Sequence, residues 1–290
     1  MNSKILSFGL AVVSGLVFTG GVCGQSTNVA FPAPSPACTL KQRVGLTDIE
    51  ITYSRPSVKG RQIFGGLLPY GEVWRAGANA ATKVVFSTAV KLNGADVPAG
   101  TYALFAIPGQ EEWTIIISKA PQQWGAFSYS PTNDLVRVQA RPRTLSAPIE
   151  TFVIEFNNIR DQSATLNLAW ENTLVPVKLE VDVAGTLLPQ IDAAMAAGGN
   201  KSANLYYSSA LFYYENGLDV NKALPWANEA VKINTNAPYM MLLKARILAK
   251  LGHKEEAVAA AKKSSELGVK ADGPKSGFVK MSNDLITSLQ

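Results

Sequence analysis

Four cationic side chains, Arg55, Lys59, Arg61 and Arg75, fall between Tyr53 and Lys83 in a segment that holds one acid, Glu72, together with Tyr70 and Trp74. A guanidinium presents a planar fork of donors that fits carboxylates and phosphates, and flat aromatic faces stack on a sugar ring or on a cation. With the amide of Asn79 added, the candidate ligand-binding set is Arg55, Lys59, Arg61, Tyr70, Trp74, Arg75 and Asn79. The same residues admit a structural role, in which the arginines pair with acids such as Glu72 to pin a long loop while the two rings plug the end of a β core. The two readings differ in geometry. A ligand site requires the side chains to converge on one concave, partly exposed surface. A plug requires each arginine to meet a carboxylate or carbonyl, with both rings nearly buried.

Groups able to run a reaction are sparse. His253 is the one histidine, and it falls at a turn between predicted helices, so a Ser-His-Asp or Cys-His mechanism finds no imidazole in the first half of the chain. No G-x-S-x-G elbow occurs. Metal catalysis needs several imidazole, thiolate or clustered carboxylate ligands, and no spacing here supplies them, so neither metal nor cofactor is expected. Cys38 reads as a small packed side chain or an idle thiol. Glu72, Asp96, Glu111, Glu112, Asp134 and Glu171 are available for a glycosidase-type carboxylate pair, but spacing singles out no two of them. Glu111 and Glu112 suit an exposed hairpin tip, and Trp113 and Trp170 lie in alternating strands where core packing is expected. The balance favours a non-catalytic binding or scaffolding protein. The rival is a carboxylate-dependent hydrolase, or a carbohydrate-binding module, acting on envelope or extracellular glycans.

The elements that must position these groups begin after an export signal. Lys4 is the only charge before Lys41, and an apolar run from Ile5 to Phe18 gives way to small residues through Gly24, which reads as a signal peptide cut after Gly24. Cys23 is a poor lipidation site, because Val22 and Gly20 occupy the positions that want a small and a leucine-like residue. Cleavage leaves about 266 of the 290 residues, enough for two ordinary domains. It also leaves Cys38 as the single cysteine, so no internal disulfide forms. The expected location is periplasmic or extracellular, and no later segment has the roughly 20 apolar residues of a membrane span. The formal charge of +5 is scattered. No basic run with interleaved aromatics appears, which argues against a nucleic-acid partner.

Residues 25–37 are polar and proline-rich and suit a linker. From there to about residue 184 the dominant apolar period is two, as in Ile49, Ile51 and Tyr53, in Phe152, Ile154 and Phe156, and in Val175, Val177, Leu179, Val181 and Val183. Alternation of that kind puts one strand face into a core. Asn93-Gly94 signals a hairpin and Pro98-Ala99-Gly100 a turn. Further strands are expected at 83–92, 101–107, 113–118, 134–141 and 164–170. The fold expected for 38–184 is therefore an antiparallel β-sandwich or barrel of eight or nine strands.

Residues 185–290 read as helices. Ala223, Ala227 and Ala230 recur 34 residues later as Ala257, Ala261 and Ser264, and Ala210 and Gly217 recur 35 later as Ala245 and Gly252. Small residues at such offsets let paired helices approach closely, and the pattern over 203–268 resembles a tetratricopeptide repeat. Helices near 187–197 and 276–289 are expected to cap the array or to pack against the β domain. The expected partner of such an array is another envelope protein. The β domain is left with a small anionic or glycan ligand.

The turn-rich run Tyr53–Lys83, with P98-A-G-T-Y-A-L-F-A-I-P108, W113-T-I-I-I-S118 and W124-G, resembles the bacterial domain-of-unknown-function family numbered 2911 over about residues 36–184. That resemblance implies a β-rich exported domain, of a kind found ahead of helical repeats among Bacteroidetes-like bacteria, and it implies no established activity.

Overall fold

The computed structural model describes residues 31–290, which divide into two compact units that meet between Val181 and Asp182. The expected signal segment, its expected cut after Gly24 and the first part of the expected linker lie outside the described residues.

The first unit contains strands β1 (Ala37–Val44), β2 (Thr47–Ser54), β3 (Thr82–Phe86), β4 (Val90–Leu92), β5 (Ala95–Val97), β6 (Gly100–Ile107), β7 (Trp113–Ser118), β8 (Asp134–Ala140), β9 (Arg143–Asn157) and β10 (Ser163–Val181). They form a six-stranded sheet in the order β1-β2-β3-β6-β7-β8 and a four-stranded sheet in the order β5-β4-β10-β9, with every paired strand antiparallel. Neither sheet closes on itself, so the barrel alternative is corrected to two open sheets with edges at β1 and β8 and at β5 and β9. The edge strand β1 carries Lys41 and Arg43 opposite Glu50 and Asp48 of β2, at 3.0 and 2.9 Å. Charges of this kind discourage pairing with another chain.

Two strand assignments also change. The run 83–92 is two strands in different sheets, because residues 87–89 carry the chain across. There Ser87 Oγ accepts from the Asp48 amide at 2.8 Å, and the hydroxyls of Thr88 and Thr47 meet at 2.6 Å. Side-chain bonds to backbone of this sort compete with continued ladder pairing. Conversely, 164–170 and the run from Val175 are one strand, β10, interrupted by register shifts on either side of Glu171. The Asn93-Gly94 hairpin joins β4 to β5, and Asn93 ties it down with Oδ1 accepting from the Lys178 amide and Nδ2 donating to the Gln139 carbonyl, each at 2.7 Å.

The aromatic rings of both sheets and of the 55–81 excursion share one cluster. Trp74 stacks on Trp170 at 5.9 Å and meets Phe152 edge-on at 4.9 Å, while Phe64 meets Trp113 at 4.9 Å and Tyr53 meets Phe152 at 5.7 Å. Each buried ring removes roughly 150–250 Å² of mostly apolar surface from water, which makes this cluster the main stabilising feature of the unit.

The second unit holds six helices, α1 (Val183–Ala196), α2 (Ala203–Glu215), α3 (Val220–Ile233), α4 (Pro238–Lys250), α5 (Lys254–Asp272) and α6 (Gly277–Leu289). Helix α1 starts earlier than the periodicity predicts, because the Asp182 side chain accepts from the Gly185 amide and caps it, which makes Val183 helical rather than a last strand residue. Packed neighbours are α2 with α3, α3 with α4, α4 with α5 and α5 with α6. The recurring alanines and serine, Ala210, Ala223, Ala227, Ala230, Ala245, Ala257, Ala261 and Ser264, are buried, whereas Gly217 and Gly252 are exposed. The one hydroxyl in that series is satisfied, since Ser264 Oγ donates to the Pro238 carbonyl at 2.8 Å.

Candidate functional site

Most of the predicted residues are tied by hydrogen bonds to the excursion's own backbone or to the strands around it. Arg55 Nε donates to the Phe152 carbonyl at 2.9 Å, and Arg61 donates to the carbonyls of Val58 and Ser57 at 2.9 and 2.6 Å. Lys59, at φ +49°, contributes its amide to Glu150 Oε1 at 3.0 Å. Asn79 is also left-handed, and its Nδ2 reaches the Ser35 carbonyl and Ser54 Oγ at 3.3 and 3.1 Å. Trp74 is 4% exposed, exchanges two backbone hydrogen bonds with Ala106, and donates its indole N–H to the Gly77 carbonyl at 2.9 Å. In these five residues the geometry is that of a pinned loop.

Arg75 and Tyr70 are different. Arg75 Nε is enclosed with no hydrogen-bond partner, and burial pushes its guanidinium below the ordinary value. Tyr70 is 41% exposed. Its ring lies against Gly65, at φ +78°, where an added Cβ would stand 2.7 Å from Tyr70 Cε2. Only glycine allows both that backbone and that contact, so the exposed ring packs over the turn at Gly65.

Tyr70 borders a cleft of about 130 Å³. Phe64 and Trp113 supply its apolar wall, and Gln110, Arg143, Thr144 and Thr173 its polar groups. Of the seven predicted residues, Tyr70 is the one that lines this cleft. Phe64 belongs to the same excursion and Trp113 opens β7, whereas the polar groups come from the β6–β7 turn, from β9 and from β10, and no local pattern in the sequence connects those to residue 70. The arrangement can seat a flat ring on Tyr70 while an anionic substituent meets the Arg143 fork.

The carboxylates are placed elsewhere. Asp48 and Glu50 line one cleft together, but each is already paired with a cation of β1. Asp134 accepts from the Tyr129 hydroxyl at 2.8 Å and from Arg137 Nε at 2.7 Å. Burial, with Asp134 adding to it, raises the Tyr129 phenol above its ordinary value, and the hydrogen bond to Asp134 raises Arg137. His253 stands beside the start of α5, with Nδ1 3.5 Å from Glu256 Oε1. Cys38 is a half-buried free thiol opposite Tyr53. Among the described residues, no three histidine, cysteine or acidic side chains group as metal ligands would, and no helix is long and apolar enough to cross a membrane.

No curated protein and no solved structure matches the chain. Residues 35–179, half of the chain, match the family described as "Protein of unknown function (DUF2911)". This match spans β1 to β9, the excursion and nearly all of β10, and the chain belongs to that family.

Proposed function

We propose that this is an exported, non-catalytic binding protein of the bacterial envelope, whose β unit takes a small anionic ring compound in the Tyr70 cleft. The observation that carries the reading is the solvent-exposed Tyr70 ring, packed over Gly65, in one cleft with Phe64, Trp113 and Arg143. An aromatic ring left exposed beside two buried rings and a guanidinium offers a stacking face, which favours recognition over mere packing. The helices, in this reading, pair in tetratricopeptide fashion and engage a second envelope protein. The buried small residues at the recurring offsets support that part.

Trp113 in the cleft wall makes the proposal measurable by intrinsic fluorescence. Titration of the mature chain with benzoate and with glucuronate should give a saturable change for at least one of them. Tyr70→Ala and Arg143→Ala should each weaken it about tenfold, the loss of one good stacking or charged contact. A flat titration with both compounds, or binding indifferent to both substitutions, would discard this use of the cleft.

A further inference from the structure

The loop after β7 carries two largely bare aromatic side chains, Trp124 at 68% exposed and Phe127 at 88%. The loop is nonetheless tied down. The Ala81 amide donates to the Gln123 carbonyl and the Gly125 amide to the Asn79 carbonyl, each at 3.0 Å, so that Trp124 bridges Ala80. Ala126 and Tyr129 then pack on Ala81, Ala103, Phe105 and Ile116, on the face of the six-stranded sheet turned away from Trp74 and Trp113. Phe127 folds back over Gly125, where, at φ +69°, an added Cβ would stand 2.9 Å from the ring. The two rings therefore share one tip.

The charge around this tip is of one sign. Residues 73–95 and 113–133, the two segments that meet there, contain no aspartate or glutamate. Trp74 faces the core beside Ala106, so Val73 and Arg75 turn to the loop's side of the sheet, where Val73 packs with Phe105. Lys83 stands on that face too, directly across from Ala103 and two residues beyond the Ala81 that holds Gln123. Lys119 opens the loop where β7 ends. None of Arg75, Lys83 and Lys119 is in an ion pair among the described residues, whereas Lys91, the remaining cation of these segments, meets Asp96 at 2.8 Å.

We infer that this tip docks the β unit onto an anionic lipid surface. Bare tryptophan and phenylalanine rings are stabilised on leaving water for the headgroup boundary of a bilayer, and unpaired lysine and arginine side chains beside them are drawn to anionic headgroups. Charge complementarity selects this occupant. A sugar would need directed donors and acceptors next to the rings, but Gln123 commits its amide nitrogen to the Ala120 carbonyl at 2.9 Å and encloses its oxygen, which leaves Gln122 and Ser128 as the polar side chains of the tip. A second copy of the chain would set Arg75, Lys83 and Lys119 against the same cations across a two-fold contact. The tip shares no residue with the Tyr70 cleft and goes beyond that reading.

The test is co-sedimentation of residues 25–290 with lipid vesicles; this chain keeps every described element and omits the apolar run Ile5–Phe18, which would itself bind lipid. Vesicles of phosphatidylcholine mixed with phosphatidylglycerol should carry the protein down, and phosphatidylcholine alone should do so about tenfold less well or worse. Trp124→Ala and Phe127→Ala should each weaken binding about tenfold, the loss of one large apolar body, and Lys83→Gln and Arg75→Gln about fivefold each. Both rings are exposed, so their removal should leave the far-ultraviolet circular dichroism unchanged. The inference is overturned if the charged vesicles leave the protein in solution, if binding survives the Trp124→Ala and Phe127→Ala double substitution, or if alginate, a soluble anionic glycan, is bound in place of the vesicles. It is overturned equally if the free chain is a dimer that Trp124→Ala returns to monomer.

Discussion

The β unit and the helical unit are stabilised in opposite ways. In the first, five large rings, Trp74, Trp113, Trp170, Phe64 and Phe152, converge from the excursion and from three strands. In the second, the recurring buried positions are alanines and one serine, which let the helices approach while Tyr213, Leu243, Ile247 and Leu248 fill the space between them. A few large rings concentrate stability at single residues; many small contacts distribute it and tolerate no added volume. The comparison therefore predicts that the β unit is most sensitive to removing atoms and the helical unit to adding them.

The largest effect should follow Trp74→Ala. Removing a 4% exposed indole from the centre of the cluster should lower the stability of the β unit by about 3–5 kcal/mol. Denaturant unfolding followed in the near-ultraviolet, where the tryptophans report, should show the loss while the helical signal at 222 nm keeps its own midpoint. A loss below about 1 kcal/mol would break the idea that rings carry this unit.

A smaller effect of opposite chemistry is expected from Ala223→Leu, since that alanine is fully buried in the contact region shared with Tyr213 and Leu243. Overpacking should lower the 222 nm transition by about 1–3 kcal/mol, with the transition of the β unit keeping its own midpoint. A stabilised variant would show that the small residues do not define a close helix contact.

The finest comparison lies inside the excursion, between two arginines that composition treats alike. Arg55→Met gives up a charge-assisted hydrogen bond to the Phe152 carbonyl and should cost about 1.5 kcal/mol. Arg75→Met removes a guanidinium whose Nε is enclosed without a partner, so stability should stay within about 0.5 kcal/mol or rise. Equal losses in the two variants, measured side by side by denaturant titration, would show that Arg75 has a partner of equal worth.

Local chemistry made the β-to-helix order legible, because periods of 2 and 3.6 are properties of a few consecutive residues and survive any tertiary arrangement. The alternation at Ile49–Tyr53, the Asn93-Gly94 hairpin and the alanines near 34-residue spacing are of this type. Even the error at 83–92 is local in origin, since period two describes a strand without saying which sheet it joins. The long turn-rich segment holding Tyr70 was also visible as composition. What the sequence left open was which of its side chains would face solvent beside a complementary group. Arg143, Thr144 and Thr173 reach Tyr70 only through pairings and bulges between β9 and β10. Such sites are built from separations of up to a hundred residues, and no short-range pattern encodes them. Arg55 and Arg75 are the clearest case, because a guanidinium's role depends on whether an acceptor stands within about 3 Å, and only the folded chain places it.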